Sequence, residues 1–189
     1  GTVDVSHAYD SYGFDNCDLN TVANIVDTNI MPNIRTLFVA PEPGEDAESD
    51  INGDARVSVV ITPVLNYMTQ SGGEDEQGTL VRSYADPEVD LNDYDISDNP
   101  GSNEQEVIFV FAPDPHGFYN RYSTASLAEY TSMELASQIA RAFQRLVSYN
   151  KHVLEGGGSV EEAWLLEGLS ALAADLTGFG AVYYPDVWD

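Results

Sequence analysis

Residues 133–150, MELASQIARAFQRLVSYN, and residues 159–176, SVEEAWLLEGLSALAADL, decide the fold of this chain. The first segment repeats apolar side chains at intervals of three and four residues, which is the pattern of one helix face. The residues on that face are Leu135, Ile139, Phe143, Leu146 and Val147. Ser123 or Ser126 is placed to cap the helix, and the pattern continues to about His152. The segment therefore predicts a long helix with its apolar face in the core.

The second segment predicts a helix that follows a glycine turn. Glycines 156–158 end the first helical pattern. Ser159 and Glu162 have the spacing of a capping box, and Gly178 comes shortly after the last apolar residue, Leu176. The two segments together predict a pair of helices joined by a short connection.

Upstream residues predict one more helix and a small sheet. Residues 19–30 have helical spacing, with Asp18 as the cap and Pro32 as the stop. Short apolar runs rich in β-branched residues predict strands at 34–40, 57–65, 79–84 and 107–112. Pro63 is expected to disturb the second of these strands. We therefore expect a single α+β domain over 1–189, with a small mixed β-sheet packed on the long helix and the helix that follows it.

The composition is strongly acidic. The formal net charge is −25 at pH 7, from 32 acidic and 7 basic residues. Nucleic acids and anionic membrane surfaces need a basic footprint on the protein, so neither is expected as a partner. Such acidity is typical of a strongly solvated surface, of a saline habitat, or of carboxylates that bind divalent cations. No apolar run approaches the roughly 20 residues that span a bilayer, which predicts no transmembrane segment.

One acidic loop resembles the opening of a calcium-binding loop. Asp50, Asn52 and Asp54 have the alternate spacing of the first three ligand positions. Ala55 stands where such a loop needs glycine, and Ile61 stands where it needs a closing glutamate, which excludes a complete calcium hand. A partial calcium site and a capped turn are the two interpretations.

A second acidic loop is a poorer match to the same pattern. Asp93, Asp95, Ser97 and Glu104 occupy the first, third, fifth and twelfth positions, but Asp98 occupies the place of the glycine. Asp93 and Asp95 are therefore weak calcium candidates, and a solvated loop is the alternative.

The helix pair resembles the active-site helices of the hyicolysin family of secreted bacterial zinc metallopeptidases. Its most specific piece is WLLEGLSALAADL at 164–176, which is similar to the family's WLxEGLSxxAED helix. Residues 135–150 resemble the preceding helix, which carries HExxH in the family. DINGDARVSVVITPVLN at 50–66 and the segment 106–122 resemble the family's strands and loops upstream. The resemblance implies a zincin-like fold, in which two histidines and a glutamate bind zinc and the glutamate of HExxH is the general base.

When the family's roles are assigned to this chain position by position, most of the zinc-binding and catalytic residues are absent. Arg141 stands in place of the first histidine, Ala142 in place of the general base and Arg145 in place of the second histidine. Phe143 and Gln144 lie between them, and Glu167 keeps the identity of the third ligand. A guanidinium group stays protonated and has no lone pair for zinc, and alanine cannot accept a proton from water. The resemblance thus implies a degenerate site in which zinc is not expected.

The same substitutions suggest an ion pair between the helices. Arg141 and Arg145 are four residues apart on one helix face, opposite the expected place of Glu167. We expect Arg141 or Arg145 to pair with Glu167, so that a guanidinium replaces the missing metal cation. The alternative is that both arginines are solvated and balance an acidic surface.

The sequence gives weaker support for other catalytic arrangements. His7, His116 and His152 have no histidine partner at helical spacing, so a zinc site rebuilt from His116, His152 and Glu167 is not favoured. Ser170 lies inside a predicted helix and lacks the second glycine of a nucleophile elbow. The lone Cys17 cannot form a disulfide within the chain and is expected to be a small buried residue.

These observations favour a catalytically inactive, metallopeptidase-like domain of a secreted or cell-surface bacterial protein. It would bind a protein or peptide partner, or assemble with itself, without a resident cofactor other than possible calcium. The competing hypothesis is an active zinc metallopeptidase with divergent or misregistered ligands. Family members typically continue beyond the second helix, so a fragment of a larger chain is a further alternative.

Overall fold

The computed structural model describes residues 15–38, 51–54, 56–68, 81–114, 116, 118–119 and 130–180. Helices and a three-stranded sheet make up an α+β arrangement. In chain order the elements are α1 (Asn16–Ile25), α2 (Met31–Phe38), β1 (Ser58–Thr62), α3 (Pro63–Met68), β2 (Ser83–Tyr84), β3 (Val107–Phe111), α4 (Leu135–Tyr149) and α5 (Ala163–Leu176). Short π-helical segments occur at Val26–Ile30, Glu88–Asn92, Tyr130–Glu134 and Asn150–Glu155.

β3 is the central strand of the sheet, whose order is β1-β3-β2. β1 runs parallel to β3, with Ser58 opposite Val107 and Thr62 opposite Phe111, and β2 runs antiparallel to it. Apolar side chains of β3 are buried on both faces of the sheet, which explains why its sequence is apolar without alternation. The predicted strand at 107–112 is confirmed.

The first helix begins earlier than the sequence predicted. Asp15, not Asp18, is the cap: its carboxylate accepts hydrogen bonds from the backbone N–H groups of Cys17 and Asp18. The Asp18 carboxylate in turn accepts from the N–H of Asp15, which completes a capping box. Cys17 lies in this exposed first turn, so the expectation of a buried cysteine is wrong.

The predicted strand at 34–40 is wrong, because residues 31–38 form the helix α2. The predicted end of the preceding helix at Pro32 is also wrong, because Pro32 lies within α2. A proline crowds the carbonyl four residues before it and cannot donate to it. The π-helical turn directly upstream widens the backbone there, so the helix continues past the ring. Ile30 and Ile34 are one turn apart and both fully buried, which is a helical face and not a strand pattern.

Pro63 ends the second predicted strand and begins a helix. The strand stops at Thr62, and Pro63 is the first residue of α3, where a helix needs no N–H donor. The predicted strand at 79–84 is present in the described residues as the short β2.

α4 is the central helix of the domain. It packs on β3 and β2, on α2 and on α5, and all five apolar residues of its predicted core face are buried. Its predicted caps, Ser123 and Ser126, lie outside the described residues. π-helical turns extend it from Tyr130 to Glu155, beyond the predicted end near His152.

α5 follows a turn and lies along α4. It begins at Ala163 with Glu162 as its cap residue and no side-chain capping bond, so the predicted capping box of Ser159 and Glu162 is wrong. The predicted end at Leu176 is confirmed, and Gly178 takes the left-handed conformation, φ 89°, that glycine adopts after a helix.

Candidate functional site

The pair α4 and α5 brings Arg141, Arg145 and Glu167 together. Arg141 Nη2 donates to Glu167 Oε2 at 3.1 Å, and Arg145 Nη2 donates to Glu167 Oε1. The two arginines are one turn apart on α4, and each contacts a different oxygen of the carboxylate. The sequence predicted a pair with one arginine, and the structure contains a bridge to both. We call these three residues the Arg–Glu bridge.

The members of the Arg–Glu bridge differ in burial. The Arg141 side chain is 6% exposed, whereas that of Glu167 is 55% exposed. A nearly buried guanidinium needs a partner, because an uncompensated buried charge is strongly unfavourable. The half-exposed carboxylate supplies that partner at the surface, where water screens part of the attraction. Two cations and one anion leave the bridge with a net positive charge inside a strongly acidic chain.

Two buried polar residues extend the bridge into the helix interface. The Ser170 hydroxyl donates to Gln144 Oε1 at 3.0 Å and accepts from Arg145 Nε at 3.3 Å. Sequence reasoning did not assign a role to this pair. A signal was available, because Gln144 lies three residues after Arg141 and Ser170 three after Glu167, on the facing sides of the two helices.

A second polar contact closes the turn between the helices. His152 Nδ1 lies 3.1 Å from Glu161 Oε1, and Ser148 Oγ donates to the same oxygen at 2.7 Å. His152 thus links the end of α4 to the approach to α5. A cavity of about 300 Å³ adjoins this contact, and its lining residues are Phe38, Gln144, Ser148, Lys151, His152, Glu161 and Leu169.

The residues at the Arg–Glu bridge offer one zinc donor, the carboxylate of Glu167. Ala142 is fully buried in the hydrophobic core, so the position that the resemblance assigns to the general base does not meet water. Within the described ranges no three His, Cys, Asp or Glu side chains are grouped as metal ligands would be. His116 is exposed and is not brought together with His152 and Glu167. His7 lies outside the described residues.

The first calcium candidate forms turns with its own backbone. Asn52 Oδ1 accepts from the N–H of Asp54 at 3.0 Å, and Asp54 Oδ1 accepts from the N–H of Arg56 at 2.9 Å. These are Asx-turn contacts, which correspond to the capped-turn interpretation. Asp50 lies outside the described residues.

The second calcium candidate is also organised by local hydrogen bonds. Asp95 Oδ1 accepts from both the hydroxyl and the backbone N–H of Ser97, and these bonds lower the pKa of Asp95. The backbone carbonyl of Asp93 accepts from the side chain of Asn99 at 3.0 Å. The Oδ1 atom of Asp95 is thus already a hydrogen-bond acceptor within its own loop.

Several buried polar residues that the sequence did not single out hold loops to the sheet. Glu106 is fully buried, and its Oε1 accepts from the backbone N–H of Ile51 at 2.7 Å. Asp114 accepts from the backbone N–H groups of Phe118 and Tyr119. Both carboxylates order loops by binding backbone donors, which is a structural role.

No described helix combines the length and the apolar composition needed to cross a bilayer. Neither family models, nor curated proteins, nor solved structures provide a match to this chain.

Proposed function

We propose that this chain is a non-catalytic, zincin-like domain of a secreted or cell-surface bacterial protein, and that its role is binding or assembly. The observation that carries the proposal is the Arg–Glu bridge. Its three residues stand where the resemblance to zinc metallopeptidases puts two histidine ligands and a glutamate ligand. Glu167 keeps its identity, and the two arginines replace the metal as its cationic partner.

The chemistry of the three side chains supports a structural use of the former site. A guanidinium bound to a carboxylate holds the same two helices that a shared metal ion would hold. It offers neither a Lewis acid nor an activated water, so it provides no route to peptide hydrolysis in the family's manner. The bridge therefore favours a scaffold whose surfaces bind partners.

The arrangement around the bridge supports the fold part of the proposal. A small mixed sheet lies against α4, and α5 returns along it, as the resemblance implies. The specific segment 164–176 forms one helix, with Glu167 directed to α4.

The first experiment is metal analysis of the natively purified chain by elemental mass spectrometry, with Glu167→Ala as the matched variant. We expect far less than one zinc per chain in both proteins. Stoichiometric zinc that is lost in Glu167→Ala would overturn the proposal and favour a zinc peptidase with divergent ligands. Digestion of an unstructured protein substrate, with and without a chelator, provides the second readout, and chelator-sensitive cleavage would contradict the proposal.

A reconstruction tests the alignment itself. The double variant Arg141→His, Arg145→His restores two histidines four residues apart, facing Glu167. We expect it to bind zinc at least about tenfold more tightly than the same double variant carrying Glu167→Ala, because that protein lacks the third ligand. If the two proteins bind zinc equally, α4 does not correspond to the family's metal-binding helix.

A further inference from the structure

The cavity beside the turn between α4 and α5 combines apolar walls with polar side chains. Its volume of about 300 Å³ lies at the lower end of the range for small-molecule sites, roughly 300–1,000 Å³. Phe38 of α2 and Leu169 of α5 are its apolar lining residues, and the other lining residues are polar. A cavity of this kind accommodates a short apolar chain and orients it through a few polar contacts. The polar side chains therefore determine which ligand fits.

Glu161 provides a carboxylate with one available oxygen at this cavity. Its side chain is only 10% exposed. Oε1 accepts a hydrogen bond from Ser148 and lies 3.1 Å from His152 Nδ1. Oε2 accepts no hydrogen bond from the described residues, and solvent can reach it. A donor that enters the cavity can therefore bind to Oε2.

The two partners of Glu161 hold its side chain in place. Ser148 and His152 are one helical turn apart, so both approach the carboxylate from the same helical segment. A Cβ atom on Gly158 would lie 2.6 Å from His152 Nε2, so glycine at this position leaves room for the imidazole ring. The carboxylate is thus oriented before a ligand binds, which reduces the entropic cost of binding.

The cationic side chains at the cavity already contact carboxylates. Lys151 Nζ lies 2.6 Å from Glu155 Oε1, and His152 contacts Glu161. An anionic ligand would compete with these carboxylates, and the net charge of −25 would repel it. The same net charge attracts a cation. The charges therefore favour an ammonium group as the polar end of the ligand.

We propose that the cavity binds a primary ammonium group on a short aliphatic chain. The ammonium group donates to Glu161 Oε2, and the methylene groups pack against Phe38 and Leu169. A free alkylamine and a lysine side chain of a partner protein present this same chemistry. The site uses none of the three residues of the Arg–Glu bridge, so its test is independent of zinc content and peptidase activity.

NMR titration of the isotope-labelled full chain with pentylamine tests the class of ligand. Pentanol and pentanoate carry the same five-carbon chain with no charge and with a negative charge. In about 0.15 M NaCl, which screens long-range attraction, we expect pentylamine to bind at least about tenfold more tightly than either. Pentanol binding as tightly as pentylamine, or pentanoate binding more tightly, would overturn the proposal.

Glu161→Gln tests the carboxylate, because it keeps the shape of the side chain and removes its charge. We expect this variant to bind pentylamine at least about tenfold more weakly and pentanol unchanged. Glu162→Gln is the matched control, since Glu162 is the adjacent, exposed glutamate and is not a lining residue of the cavity. Equal weakening in both variants would mean that pentylamine responds to the net charge of the chain and not to this site. The NMR spectrum of each variant verifies that it remains folded.

Lysine with an acetylated amino end and an amidated carboxyl end distinguishes the two sources of the amine. If it displaces pentylamine, the cavity accepts a lysine side chain of a partner protein. If pentylamine binds and the blocked lysine does not, the ligand is a free amine. Failure of both amines to shift the resonances of the lining residues contradicts the proposal.

Discussion

Glu167 matters because of the residue it neutralises. Its own side chain is half exposed, and ion pairs of such carboxylates usually contribute little. Arg141, however, is almost fully buried between the helices. Water can hydrate the Glu167 carboxylate but reaches little of the Arg141 guanidinium. Removing the carboxylate should therefore lower the free energy of unfolding by more than the exposure of Glu167 alone suggests.

Replacing Glu167 should therefore destabilise the domain more than replacing a glutamate of similar exposure elsewhere. Glu155 is the control: its side chain is 50% exposed and pairs with Lys151 on the surface of the same helical segment. We expect Glu167→Ala to reduce the free energy of unfolding by about 1–2 kcal/mol. Glu155→Ala should reduce it by no more than about 0.5 kcal/mol. Urea denaturation of the two variants measures the difference, and equal losses would show that Arg141 does not depend on Glu167.

Tyr84 should titrate at unusually high pH. Its hydroxyl donates to Asp86 Oδ2 at 2.6 Å, and this hydrogen bond, with burial and the nearby Asp86 and Asp90 charges, raises the pKa of Tyr84 to about 12. Because the pKa is raised in the folded state, the associated stabilisation is complete below pH 10 and is lost as the pH rises through 12. Asp86→Ala should bring the pKa back toward 10.0.

Tyrosinate absorbance during an alkaline titration measures this shift. The difference between the parent chain and Tyr84→Phe identifies the step that belongs to Tyr84 among the 11 tyrosines. If the step stays at the same pH in Asp86→Ala, the hydrogen bond to Asp86 is not its cause.

At the scale of elements, the sequence predicted those whose signals are local and strong. The continuous apolar run at 107–112 and the helical spacing of α4 both lead to the observed elements. The predicted strand at 34–40 is wrong because a proline usually ends a helix, whereas the helix here continues past Pro32 and buries Ile30 and Ile34 on one face. A π-helical turn accommodates the proline, and the local amino-acid composition does not predict such a turn.

The candidate site was predictable for a different reason. Arg141 and Arg145 share a helix face by their spacing, and the resemblance supplied the helix that faces them. Contacts between distant segments were not predictable from spacing. Glu106 and Ile51, for example, meet across 55 residues of sequence. Such buried carboxylates depend on tertiary neighbours that no window of sequence contains.

Asn66 joins two elements and should be essential to their contact. It lies in α3, fully buried, and its side chain forms two hydrogen bonds with the backbone of Ala112, just after β3. The amide thus acts as one more strand residue at the end of the sheet. Asn66→Ala leaves both backbone groups of Ala112 without these bonds, and we expect a loss of about 2–3 kcal/mol in the free energy of unfolding.

Chemical denaturation of Asn66→Ala measures this loss. Asn33→Ala is the control, because Asn33 is an exposed helical asparagine whose side chain bonds to a neighbouring turn. We expect the control to change stability by less than about 0.5 kcal/mol. Similar losses in both variants would mean that the bonds to Ala112 contribute no more than a surface contact.

For the whole molecule, the dominant property is self-repulsion. A chain with 32 acidic and 7 basic residues carries far more negative charge than its ion pairs can balance. Repulsion between like charges destabilises the compact state and weakens as salt shortens the screening length from about 30 Å at 0.01 M to about 3 Å at 1 M. The free energy of unfolding should therefore rise with NaCl over this range.

Divalent cations distinguish general screening from a calcium site. One side-chain oxygen in each of Asn52, Asp54 and Asp95 accepts a hydrogen bond from its own loop, so these turns are ordered by local contacts. We expect CaCl₂ and MgCl₂ to raise the urea midpoint equally at equal ionic strength, because screening depends on charge and not on coordination geometry. Asp54→Asn with Asp95→Asn should reduce both effects slightly and to the same extent. A saturable stabilisation by calcium that magnesium does not reproduce, and that this double variant abolishes, would instead identify a calcium site in these loops.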